Sequence, residues 1–66
     1  MSMTSDAAEL SSLRSQLEEL TVRVVRVGDT YRDTDDSAIA SELDQAERSL
    51  LSACRSVDRA IDRLSS

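Results

Sequence analysis

Asp33, Asp35, Ser37 and Asp44 fall at the first, third, fifth and twelfth places of the stretch DTDDSAIASELD. This is the oxygen-ligand spacing of a calcium loop. Such a loop needs glycine at its sixth place for a sharp turn, and Ala38 stands there; its last place usually carries glutamate. Ile39 and Leu43 in the same stretch also belong to an apolar helical pattern, so helix capping accounts for these residues better than a metal does. Cys54 is the second candidate, because a thiolate is a nucleophile and a metal ligand. The chain has no histidine to activate it or to share a zinc site, and one cysteine forms no internal disulfide. Cys54 therefore reads as a small apolar residue. A third candidate is the row Arg48, Arg55, Arg59 and Arg63, the last three at i, i+4 spacing. Arginines in a row can hold an anion through charge-assisted hydrogen bonds. Here Asp44, Asp58 and Asp62 are interleaved, which points to a solvated, locally balanced face. With no histidine, no lysine and no glycine-rich phosphate loop, neither enzymatic activity nor a cofactor is expected.

The elements that carry these residues are legible from the apolar rhythm. Leu10, Leu13, Leu17, Leu20, Val24, Val27 and Tyr31 recur at alternating steps of three and four. Ile39, Leu43, Ala46, Leu50, Ala53, Val57, Ala60 and Leu64 do the same. Each track is the a/d pattern of a packed helix. With a at Leu10 and Leu43, the d positions are Leu13, Leu20 and Val27 in the first helix and Ile39, Ala46, Ala53 and Ala60 in the second. Val and Thr in LTVRVVRV favour a strand, but their alternation breaks at Val24-Val25 and no second strand exists to pair with.

The two tracks fit one antiparallel register, in which facing residues have numbers adding to 70. Every layer then sets an a against a d, from Leu10 with Ala60 to Tyr31 with Ile39. The expected fold is an all-α antiparallel two-helix hairpin, coiled-coil-like, in a single domain over residues 1–66. Helix 1 runs from about 5 to 31, the turn covers about 32–37, and helix 2 runs from about 37 to 64. Thr4 or Ser5 would cap the first helix, and Thr34, Asp35 or Asp36 the second. Gly28 is either a tolerated interior glycine of helix 1 or the place where that helix bends or ends early, since an interior glycine costs about 1 kcal/mol.

A second apolar strip lies beside this seam. Cys54 and Ile61 sit at e, and Val25 and Leu51 at b. These four residues are the expected interaction surface, because a contiguous exposed apolar strip marks a protein contact. A chain of 66 residues buries too little to stand comfortably alone. With no disulfide or metal to reinforce it, association is the remaining support. The expected assembly is a four-helix bundle, formed as a homodimer or with another helical protein.

Thirteen acidic residues oppose eight arginines, for a net charge of −5. That balance argues against nucleic acid as a partner. No apolar run is long enough to span a membrane, and the N-terminus lacks the basic and apolar regions of a signal peptide, so a cytoplasmic location is expected. Arginine without lysine is typical of GC-rich, actinobacterial-like genomes. Tyr31-x-x-x-Asp35 resembles the Tyr-x-x-x-Asp/Glu secretion signal of the small helical-hairpin substrates of mycobacterial type VII secretion. The resemblance covers about ten residues and implies a secreted hairpin. The chain departs from that family in having no tryptophan for the Trp-x-Gly turn, and in placing the signal at its own bend rather than after the hairpin. The leading expectation is a small non-catalytic interaction or adaptor module that acts through helical packing. A type VII-like secreted hairpin and an arginine-based regulator binding an anionic ligand are the alternatives.

Overall fold

The computed structural model describes residues 3–65, with side chains from residue 5 onward. Two α-helices, α1 (Met3–Tyr31) and α2 (Ser37–Ser65), pack against each other as a hairpin. Each has 29 residues, or about 43 Å at 1.5 Å per residue. The result is a rod of 51 × 14 × 13 Å. Its radius of gyration is 15.3 Å, against roughly 11 Å for a compact domain of this length.

The valine-rich segment Val22 to Val27 is helical, and α1 continues through Gly28 to Tyr31. Packing along one face overrides the strand preference of the valines. Thr21 and Thr30 fit the helix by donating their hydroxyls to the carbonyls of Leu17 and Arg26, at 2.7 and 3.3 Å. Gly28 does not end the helix, which runs on to Tyr31. It lies buried at a close approach of the two helices, where an added Cβ would sit 3.4 Å from Cβ of Leu43.

The chain reverses over Arg32 to Asp36. Asp33 has φ 64°, a left-handed conformation that aspartate tolerates better than most side chains. Thr34 joins the two helices: its hydroxyl donates to the carbonyl of Tyr31 at 2.6 Å and accepts from the amide of Asp36 at 3.2 Å. The Thr34 carbonyl accepts from the amide of Ser37 at 3.1 Å, and that of Asp36 from Ile39 at 2.9 Å. At the other end Ser5, expected as a cap, lies within α1. The Thr4 side chain is outside the described residues.

The axial register is close to the expected one: across the seam Gly28 meets Leu43 and Arg14 meets Asp58, pairs whose numbers add to 71 and 72. The rotation of the helices about their axes differs from the expected one. The buried and half-buried stripe of α1 runs through Ala7, Leu10, Arg14, Leu17, Thr21, Val24, Gly28 and Tyr31. In α2 it runs through Ala40, Leu43, Glu47, Leu50, Cys54, Val57, Ile61 and Leu64, flanked by half-buried Ala46, Ala53 and Ala60. Both stripes alternate steps of three and four, but they join a to e instead of a to d. Thr21, Gly28, Ala40 and Cys54 are the most buried residues. Small side chains at these e positions let the backbones come close, and the helices turn to exploit that.

Candidate functional site

The rotation decides which apolar surface remains open. Leu13, Leu20 and Val27 of α1 and Ile39 of α2, all expected inside the seam, stand at its edge with 40, 45, 51 and 42 % of their surface exposed. Along that edge run two shallow apolar grooves. Leu10, Leu13, Gln16, Leu17, Leu20 and Val57 line the first, and Leu20, Arg23, Val24, Val27 and Leu43 line the second. Leu20 belongs to both, so together they make one groove along the rod. The remaining expected seam residues, Leu10, Leu17, Val24, Tyr31, Leu43, Ala46, Leu50, Ala53, Val57, Ala60 and Leu64, are half-buried. Among the described residues no large side chain is fully buried.

The four residues expected to form the interaction strip are divided by the structure. Cys54 is only 4 % exposed, inside the hairpin. Ile61 and Val25 are half-buried. Leu51 alone is well exposed, at 42 %. The small e-position residues around Cys54 form the contact between the helices, so they are not a surface left over for another protein. The signal for this was present in the sequence: Ala7, Thr21, Gly28, Ala40 and Cys54 are small residues recurring in the e phase. Val22 is also exposed, but it sits at f, on the far side of α1 from the groove.

Ionic clamps tie the helices together. Arg14 donates through Nε to Asp58 Oδ1 at 3.1 Å and through Nη2 to Oδ2 at 3.4 Å, and also pairs with Glu18 on its own helix. The hydrogen bonds and charge of Asp58 raise the pKa of the Arg14 guanidinium. At the tip Arg32 donates to both carboxylate oxygens of Asp44, at 3.0 and 3.2 Å, and to Asp29 at 3.2 and 3.3 Å. Hydrogen bonding from Arg32 holds the Asp44 carboxyl below its usual pKa, against a smaller opposing effect of desolvation. Asp44, the last ligand place of the apparent calcium loop, is thus engaged by an arginine. Among the described residues no three acidic, cysteine or histidine side chains gather as a metal site.

No protein-family model, curated protein or solved structure matches this chain. Tyr31 closes α1 half-buried, and Asp35 lies exposed in the turn. Arg48, Arg55, Arg59 and Arg63 are all exposed along α2. Arg48 is hydrogen-bonded to Gln45 at 2.7 Å and Arg59 to Ser56 at 3.0 Å. No described helix is long and apolar enough to cross a membrane.

Proposed function

We propose that this chain is a non-catalytic protein–protein interaction module whose groove receives the helices of a second hairpin, completing a four-helix bundle. The observation that carries this reading is the line Leu13, Leu20, Val27 and Ile39, left open along a pair of helices with no fully buried large side chain among the described residues. Water against so many half-covered leucines and valines is unfavourable, at about 25 cal/mol per Å². The surface of the rod supports the same reading. It exposes 4909 Å², where a compact monomer of 7.2 kDa exposes about 4,100 Å². The difference is of the order that one partner contributes to a stable interface, about 800 Å².

Sedimentation equilibrium tests the proposal. The chain is expected to sediment as a dimer or larger at micromolar concentration. Leu13→Glu and Leu20→Glu, each placing a charge in the groove, should each weaken association by about 2 kcal/mol, or roughly 30-fold in Kd. Leu51→Glu, on the opposite flank, should leave association unchanged. A chain that stays strictly monomeric and fully helical at high concentration overturns the proposal.

A further inference from the structure

We infer that the groove is filled by a second copy of this chain lying head to tail, with the two hairpin tips at opposite ends of the assembly. This rests on the reading of the groove as a helix-docking surface, and adds which chain docks and in which direction.

The polar lining of the groove suits an identical partner. Gln16 and Arg23 are its polar members, so two such faces meet without opposing carboxylates within the groove. Glu9, Gln16 and Arg23 are seven residues apart and share one stripe of α1. A reversed copy brings the Glu9 end of one stripe toward the Arg23 end of the other. The groove runs from Leu10 to Val27, about 26 Å at 1.5 Å per residue, so a second copy centred on it covers all of it.

Charge along the rod sets the direction. From Asp29 to Glu47, around the tip, there are seven acidic residues and Arg32 as the only base. The opposite end, residues 5–14 and 56–65, holds four acids and three arginines. Copies lying in the same direction would crowd two strongly acidic tips together, within a separation of one or two Debye lengths, about 8 Å each at physiological salt. Copies lying head to tail set each acidic tip against a nearly balanced end. Electrostatics thus favours the head-to-tail direction.

Spin labels read the direction. In a Cys54→Ala background, Asp35→Cys carries a label at the tip and Glu19→Cys carries one near the middle of α1. Double electron–electron resonance on the full-length protein should give a tip-to-tip distance close to the 51 Å length of the rod, and a much shorter distance between the two central labels. Ser65→Cys, at the other end, gives a second long distance that does not depend on the turn. Tip labels separated by little more than the 14 Å width of the rod overturn the head-to-tail arrangement while leaving the docking reading intact. Loss of all dipolar signal, with a monomer in sedimentation, overturns the second copy as occupant and the docking reading with it. Leu20→Glu added to the Glu19 label should abolish the short distance.

Discussion

Gly28 lies where the two helices come close, with Leu43 opposite. The Cβ that alanine would add there meets Leu43 at 3.4 Å, an ordinary contact. Alanine also recovers about 1 kcal/mol of helix propensity. Gly28→Ala should therefore stabilise the hairpin by roughly 0.5–1 kcal/mol, read as a raised Tm in a circular dichroism melt. Gly28→Leu should destabilise it by roughly 1–3 kcal/mol, because its branches enter space held by Leu43. Asp33 is the converse case, a side chain where glycine fits better. Asp33→Gly removes the left-handed strain at φ 64° and loses part of that gain to unfolded-chain entropy, for a net stabilisation of roughly 0.5 kcal/mol. A Tm lower than that of the parent chain would contradict this account of the turn. Asp44 carries the pH dependence. Its folded pKa lies below the ordinary carboxylate value because Arg32 binds the charged form. The stabilisation is thus present above the unfolded pKa and is lost as pH falls through the folded one. In an NMR titration of the side-chain carboxylates, Asp44 should titrate below the ordinary aspartate value, and Arg32→Gln should move it upward.

The two helices follow from a rhythm that period alone determines, whereas their mutual rotation does not. Leu10, Leu17 and Val24 belong equally to an a/d track with Leu13, Leu20 and Val27 and to an a/e track with Arg14, Thr21 and Gly28. Both tracks step by three and four, so spacing cannot choose between them. Size chooses: the small residues Thr21, Gly28, Ala40 and Cys54 are the ones buried between the helices, and Gly28 brings α1 close to Leu43. The hairpin and its axial register were legible, and the open side was not, because weighing apolarity alone puts the leucines inside and the small residues out. The clamps were hidden for a different reason. Asp58 reads as part of a solvated, locally balanced face of helix 2 until Arg14 is brought beside it. The turn was legible in Thr34 to Asp36, although the choice of the Thr34 hydroxyl as the joining group depends on backbone geometry that no spacing rule supplies.

At the scale of the whole molecule, a rod in which Ala40 and Cys54 are the only buried apolar side chains among the described residues has little stability of its own. Fixing the backbone of each residue costs about 1–2 kcal/mol, and half-exposed leucines recover only part of their transfer free energy. Covering the groove links folding to association, so the folded state gains from mass action. For a two-state dimer, a tenfold rise in concentration adds 1.4 kcal/mol per dimer, about 0.7 per chain. In a domain of this size that corresponds to a Tm rise of about 3–6 °C. The parent chain should show this rise in melts taken at 5, 50 and 500 µM, which are roughly tenfold steps. A Leu13→Glu, Leu20→Glu double variant should melt lower and at one temperature throughout the series, because its groove no longer couples folding to a partner. A parent Tm that does not move with concentration, together with a cooperative transition, would mean that the a/e seam and its ionic clamps suffice by themselves.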